Sequence, residues 1–152
     1  MVYFLDTSGL AKRYATEVGS NWITTITDPF SGNQLLIAKI TIVEVHSALA
    51  KKAREGKLSP SDLSNAVQAF RDDYFMFKMV EINSAIIETA SRLTLNHKLR
   101  AYDAVQLAAA LYVDSELKRF GSMALSFISA DRDLLIAARA ENLNADDPTS
   151  HS

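Results

Sequence analysis

The chain has 152 residues, of which 48% are hydrophobic and 22% charged, and its formal net charge is -2. This size and composition predict one globular domain with a sizeable core, and the charge is not that of a protein that holds duplex DNA by charge alone. The absence of cysteine excludes disulfides, thiolate-bound zinc and cysteine nucleophiles.

Predicted strands and helices alternate along the chain. Apolar runs predict strands at residues 2–5, 35–40, 79–82 and 124–129. Helical periodicity and capping residues predict helices at 7–16, 20–28, 41–55, 60–77, 84–96, 102–119 and 131–141. This alternation favours an α/β fold with a central, mostly parallel sheet flanked by helices. We expect helices 60–77 and 84–96 to form a hairpin packed to one side.

We expect residues 1–145 to form the domain and the polar stretch 146–152 to form a flexible tail. The N-terminus lacks the basic start and the cleavage site of a signal peptide. No apolar run reaches the roughly 18 residues that a membrane-spanning helix requires. We therefore expect a cytoplasmic protein with no membrane partner.

Four acidic residues stand where predicted strands end or predicted helices begin: Asp6, Glu44, Asp103 and Asp131. In an open α/β sheet, the carboxyl ends of the strands and the starts of the following helices share one crevice. Carboxylates gathered there repel one another unless a hard cation neutralises them, and Mg²⁺ and Mn²⁺ prefer oxygen ligands. The pattern therefore predicts an acidic, metal-binding cleft.

Three of these carboxylates also have an ordinary structural interpretation. Asp6 and Asp131 stand where a helix N-cap is expected, and Asp133 suits the helix dipole or competes with Asp131 for a metal. Glu44 lies off the apolar stripe of its helix, where solvated glutamates are common.

Asp103 is harder to explain as a structural residue. From Ala104 to Val113 only Gln106 is polar, and a helix that is apolar nearly all round is buried. We therefore expect Asp103 to enter the interior, where a carboxylate is costly unless it is paired or bound to a metal.

Two basic segments are candidates to bind phosphates beside this cleft, although charge runs are usually solvated faces. Their cationic residues are Lys51, Lys52 and Arg54 in the first segment and Lys98 and Arg100 in the second. The three histidines do not have the spacing of a zinc site, and neither a Gly-rich phosphate loop nor a GxSxG nucleophile motif is present.

Four segments carry the acidic residues in order: LDTSGLAKRYATEVGS, ITIVEVHSALAKK, LRAYDAVQLAAAL and FISADRDLL. Together they resemble the motifs of PIN-domain ribonucleases, most of all the toxins of VapBC-type toxin–antitoxin pairs. The resemblance extends from Tyr3 to about Asn142. It departs from the family at Ser129, where threonine is frequent, and in the aromatic run at 73–77, which has no evident role.

The resemblance implies a PIN-like three-layer sandwich and an endoribonuclease that depends on Mg²⁺ or Mn²⁺. Such an enzyme would cut single-stranded or looped RNA and form a homodimer. A cognate antitoxin would inhibit it by inserting a segment into the acidic groove and contacting exposed apolar surface of the first helices. The implied metal and catalytic residues are Asp6, Glu44, Asp103 and Asp131, with Thr7, Ser8 and Ser129 as supporting hydroxyls and Asp133 nearby.

Two alternatives stay open at this point. A catalytically silent PIN-like module would bind a protein or RNA without cutting it, although such a scaffold needs no buried carboxylates. A phosphatase would use Asp6 as an aspartyl nucleophile, but Asp6-Thr7-Ser8 lacks the second aspartate two residues on.

Overall fold

The computed structural model describes residues 1–121 and 123–151. Within these residues, five strands form one parallel sheet in the order β3-β2-β1-β4-β5. The strands are β1 Val2–Leu5, β2 Gln34–Ala38, β3 Phe77–Val80, β4 Leu125–Ile128 and β5 Asn144–Asp146. The α-helices are α1 Thr7–Leu10, α2 Ser20–Ile26, α3 Thr41–Arg54, α4 Pro60–Asp72, α5 Ser84–Asn96, α6 Ala101–Arg119 and α7 Arg132–Ala140. The predicted α/β class is confirmed, and no helix in the described ranges is long and apolar enough to cross a membrane.

The two faces of the sheet carry separate apolar clusters, because side chains alternate along each strand. Val2 and Phe4 of β1 pack against α5, α6 and α7. Leu5 faces the other way and packs with residues of α2, α3 and α4. The sheet is therefore the middle of three layers, as expected.

The expected hairpin of the fourth and fifth helices is wrong. Phe70 of α4 packs with Leu49 of α3 on one face of the sheet, whereas Ile86 of α5 packs with Leu107 of α6 on the other. The short strand β3 lies between α4 and α5 in the chain, and it carries the chain from one helical layer to the other. The connection from β2 to β3 runs outward and the connection from β3 to β4 runs back across the sheet, and right-handed crossovers in opposite directions place their helices on opposite faces.

Three further elements differ from the sequence prediction. The predicted helix 7–16 is an α-helix only at Thr7–Leu10, and a 3₁₀ turn follows at Ala11–Arg13. The chain leaves α4 after Asp72, forms a 3₁₀ turn at Asp73–Met76 and enters β3 at Phe77, so the predicted helix 60–77 is too long. The edge strand β5 was not predicted, because its sequence NAD has no apolar alternation.

Residues 146–151 also differ from the flexible tail that we expected for 146–152. Asp146 pairs with Ile128 in the sheet, Pro148 is buried, and the His151 ring stacks on Trp22 with centroids 4.0 Å apart. Ser152, the last residue of the predicted tail, lies outside the described residues.

The strand order places a crevice at the centre of the sheet. From β1 the chain moves outward through β2 and β3, and it later returns to the other side of β1 for β4 and β5. The connections that leave β1 and β4 therefore diverge, and the crevice outside their carboxyl ends is the usual ligand site of an open α/β sheet.

Candidate active site

Asp6 lies at the floor of this crevice, where β1 passes into α1. Its side chain is only 2% exposed and caps α1 by accepting a hydrogen bond of 2.8 Å from the Gly9 amide. The hydroxyls of Ser8 and Ser129 donate to the same carboxylate at 2.9 and 3.0 Å. Three different groups therefore fix the orientation of a buried carboxylate.

Burial raises the pKa of Asp6 to about 7, more than the hydrogen bonds from Gly9, Ser8 and Ser129 lower it. The nearby charge of Asp103 raises it further. Among the described residues no lysine, arginine or histidine forms an ion pair with Asp6. No cationic side chain of the described residues therefore neutralises the charge of the Asp6 carboxylate.

Glu44 is held by a second network that joins α1, α3 and α6. The Thr7 hydroxyl donates to Glu44 Oε2, and Gln106 Nε2 donates to the same oxygen at 3.1 Å and to Thr41 Oγ1 at 2.8 Å. Gln106 is 1% exposed, so this network is enclosed. Glu44 Oε1 is buried and has no hydrogen-bond partner among the described residues, which is an unfavourable state for a carboxylate oxygen.

Asp103 and Asp131 form the rim and share one cation. Arg100 Nε donates to Asp103 Oδ2 at 3.0 Å, and Arg100 Nη2 lies 3.8 Å from Asp131 Oδ2. Asp131 also caps α7 by accepting from the Leu134 amide at 3.0 Å. The Arg100 side chain is 83% exposed, so solvent weakens these ion pairs.

All four carboxylates line one cleft of about 830 Å³. Thr7 and Ser8 line it too, and Ser129 is fully buried beneath, bonded to Asp6 and to the Asp131 amide. The structure thus brings the predicted acidic and hydroxyl residues together, although they come from distant parts of the chain.

The expectation that Asp103 is the buried carboxylate is wrong. Its side chain is 21% exposed, and Asp6 is the buried one. The apolar surface of α6 packs against the sheet and α5, but Asp103 in the first turn of α6 lines the open cleft. An apolar helix interior therefore says little about a residue in the first turn.

The predicted phosphate-binding residues separate into groups. Lys51, Lys52 and Arg100 line the cleft, and Arg54 does not. Lys98 forms an ion pair of 3.0 Å with Asp133, and both line an adjoining cleft of about 570 Å³. Asp133 therefore lies beside the acidic cleft rather than within it.

Sequence reasoning missed several polar residues of the site, of which two matter most. Gln106 holds Glu44, and Lys12 lines the cleft beside the carboxylates. Gln106 did give a signal: it is the one polar residue of an apolar run and follows Asp103 by three positions, which places both on one side of a helix.

The donor set suits a hard divalent cation. The cleft offers carboxylate oxygens together with hydroxyls, which match the preference of Mg²⁺ and Mn²⁺, and no described residue forms a hydrogen bond with Glu44 Oε1. As the side chains stand, no three acidic or histidine residues within 1–121 and 123–151 are close enough to hold a metal ion. Arg100 already neutralises part of the rim.

The chain is similar to known proteins in both sequence and fold. Residues 3–140 match the PIN domain family. Ribonuclease VapC45 of Mycobacterium tuberculosis is 34% identical over 113 residues, which make up 74% of this chain and 76% of that protein.

Solved structures share the fold. PAE2754 from Pyrobaculum aerophilum matches with a TM-score of 0.64 and 23% identity, over 99% of this chain and 91% of that one. A toxin–antitoxin complex from Klebsiella pneumoniae matches with a TM-score of 0.58 and 23% identity, over 86% and 88%. The fold, the extent of the family match and the identity to a curated ribonuclease agree, and this chain belongs to the PIN domain family.

Proposed function

We propose that this protein is a metal-dependent endoribonuclease and the toxin of a toxin–antitoxin pair, acting in the cytoplasm. The observation that carries the proposal is the meeting of Asp6, Glu44, Asp103 and Asp131 in one cleft at the centre of the sheet. A relative that is 34% identical is named a ribonuclease, and a structural neighbour is a toxin–antitoxin complex. These names support the assignment of RNA as substrate.

Asp6, Asp103 and Asp131 are the proposed metal-binding residues, with Glu44 as a fourth ligand or as the group that orients water. Ser8 and Ser129 hold the Asp6 carboxylate from two sides, so its oxygens cannot rotate freely. Thr7 and Gln106 both donate to Glu44 Oε2, and Oε1 has no hydrogen-bond partner among the described residues. The arrangement thus fixes both carboxylates before substrate arrives.

Bound Mg²⁺ or Mn²⁺ would supply positive charge at the phosphate and lower the pKa of water toward neutral. The protein supplies the remaining features: a cleft of about 830 Å³, carboxylates fixed by neutral donors, and Arg100 on the rim. Arg100 can turn toward a phosphate because its side chain is exposed and its ion pairs are weak.

The proposed partners are RNA, a cognate antitoxin and a second copy of the chain. Val43 of α3 is 68% exposed and lines the cleft, so an antitoxin segment that enters the cleft would contact it. On the packed pair α5 and α6, Ile87, Leu95 and Tyr112 are large, apolar and exposed, which suits a homodimer contact.

The proposal is tested with wild type and Asp103→Asn on mixed cellular RNA in Mn²⁺, alongside thermal unfolding with and without the ion. We expect wild type to give discrete products and to gain stability from Mn²⁺, and the variant to lose both effects. Wild-type cleavage by Asp103→Asn would contradict the assignment. A folded wild type that neither cuts RNA nor responds to Mn²⁺ would favour the silent binding module.

A further inference from the structure

The cleft has a basic end as well as an acidic one. Lys12, Lys51 and Lys52 line it together with one carboxylate, Glu17. Lys12 is unusual among them, because its side chain is only 6% exposed. Enclosing a lysine side chain is costly unless its ammonium group reaches anions, hydrogen-bond acceptors or solvent.

Lys12 has weak compensation within the described chain. Its Nζ lies 3.5 Å from Glu17 Oε1, which is longer than the roughly 2.7–2.9 Å of a charge-assisted hydrogen bond. No hydrogen bond from this Nζ to another described residue accompanies that ion pair, although an ammonium has three donors. Glu17 is also shared, because its Oε2 accepts from Lys52 at 3.1 Å.

The backbone holds this arrangement in place. The Ser20 hydroxyl donates to the Lys12 carbonyl at 2.6 Å and accepts from the Glu17 amide at 2.9 Å. One buried hydroxyl therefore fixes both segments whose side chains pair. Gly19, with φ of 90°, allows the turn to lie against Pro148, where a Cβ would come within 2.6 Å of the Pro148 carbonyl oxygen. The ammonium of Lys12 is thus positioned before any ligand binds.

We infer that Lys12, with Lys52, forms a phosphate subsite that binds the RNA strand next to the phosphate being cut. The inference rests on the proposed ribonuclease function. Two ammonium groups share one carboxylate, so this end of the cleft keeps a positive charge, and Glu17 is the one acceptor that the described residues place near the Lys12 ammonium. A backbone phosphate supplies the missing acceptors, and it competes with Glu17 for both lysines.

Because phosphate competes with Glu17 for the lysines, substitutions of Lys12 and Glu17 should have opposite effects on RNA binding. Lys12→Met removes one phosphate contact, so RNA binding should weaken by about tenfold, the change expected for loss of a charged hydrogen bond. For single strands, the slope of log affinity against log salt should become shallower by about 0.7. Glu17→Gln frees both lysines, so RNA binding should strengthen. A purely structural ion pair predicts that both substitutions lower stability and that neither changes the slope.

The experiment measures binding of a fluorescein-labelled single-stranded RNA of mixed sequence in EDTA, where cleavage does not interfere, across a series of salt concentrations. Wild type is compared with Lys12→Met, Lys12→Arg and Glu17→Gln. Lys78→Met is the matched control, because Lys78 is an exposed lysine on β3 that lines neither cleft. Thermal unfolding of each variant establishes that it is folded. Lys12→Arg keeps the positive charge and therefore tests whether charge alone supports binding.

We expect Lys12→Met to weaken binding and flatten the slope, Glu17→Gln to strengthen binding, and Lys12→Arg and Lys78→Met to resemble wild type. Equal slopes for wild type and Lys12→Met, in a protein that cuts RNA, would overturn the subsite and leave the nuclease intact. A wild type that neither binds nor cuts RNA would overturn both.

Discussion

The floor and the rim of the cleft stabilise their carboxylates in different ways. At the floor, Asp6 is buried and held by the neutral donors of Gly9, Ser8 and Ser129. At the rim, Asp103 and Asp131 are partly exposed and share the guanidinium of Arg100. The floor therefore sets geometry without neutralising charge, whereas the rim is neutralised by a side chain that can move. A cation that enters the cleft should therefore bind mainly to the Asp6 carboxylate. At the rim it should compete with Arg100 for Asp103 and Asp131.

The largest expected effect comes from Asp6→Asn. Asparagine keeps the size and one acceptor of the side chain but removes the charge, so RNA cleavage in Mn²⁺ should fall on the order of 100-fold or more. The control is Asp114→Asn, since Asp114 is a buried aspartate that pairs with Lys118 at 2.6 Å outside the cleft. Similar rates for Asp6→Asn and wild type would show that the floor carboxylate is structural only.

Ser129→Ala should remove one of the hydrogen bonds that hold Asp6 and leave the ion pairs of Arg100 unchanged. The hydroxyl is fully buried, donates to Asp6 and accepts from the Asp131 amide, so its loss should lower the free energy of unfolding by about 1–3 kcal/mol. Urea denaturation measures this. Ser91→Ala removes an exposed hydroxyl of α5 and should change the value by less than about 0.5 kcal/mol. Equal effects of the two substitutions would contradict the account of the floor.

In the metal-free protein, the contribution of Asp6 to the free energy of unfolding should fall as pH rises. The pKa of Asp6 is raised from 3.8 to about 7 on folding, so the folded state binds this proton more tightly than the unfolded state. That contribution is present at low pH and is lost between about pH 4 and pH 7. In EDTA, the free energy of unfolding of wild type relative to Asp6→Asn should therefore fall across this range. A constant difference would mean that Asp6 titrates normally.

The smallest effect on stability is expected at the rim. Arg100→Gln removes exposed ion pairs, so the free energy of unfolding should change by less than about 1 kcal/mol. Calorimetric titration should nevertheless show tighter Mn²⁺ binding, because the competing guanidinium is gone. Arg92→Gln is the control, since Arg92 pairs with Glu141 and does not line the cleft. Weaker Mn²⁺ binding by Arg100→Gln would show that Arg100 assists the ion rather than competing with it.

Much of the fold was predictable because local signals agreed with the final structure. The apolar run before Asp6 and the capping residue Asn83 gave the bounds of β1 and α5 correctly. The edge strand β5 gave no such signal, since a short polar strand is stabilised by its pairing with β4 rather than by its own residues. The aromatic run at 73–77 suits a helix or a strand, and tertiary packing decides between them.

For the site, the sequence predicted which residues meet in the cleft better than it predicted how buried each residue is. Strand ends and helix starts placed Asp6 and Asp131 in one crevice, because the sheet topology requires it. Which carboxylate is buried depends on the packing around each helix start, and the periodicity of a helix does not show that packing. The bond from Gln106 to Glu44 depends on the approach of α6 to α3, which also cannot be read from either helix alone.

The central claim is that the acidic cleft cuts RNA with a divalent ion. The most direct test incubates wild type with mixed cellular RNA in Mn²⁺, in EDTA, and in EDTA followed by excess Mn²⁺. The account predicts discrete products in Mn²⁺, none in EDTA, and recovery of the same products when the ion is restored. Identical products in EDTA, or intact RNA in every condition with a folded protein, would contradict it.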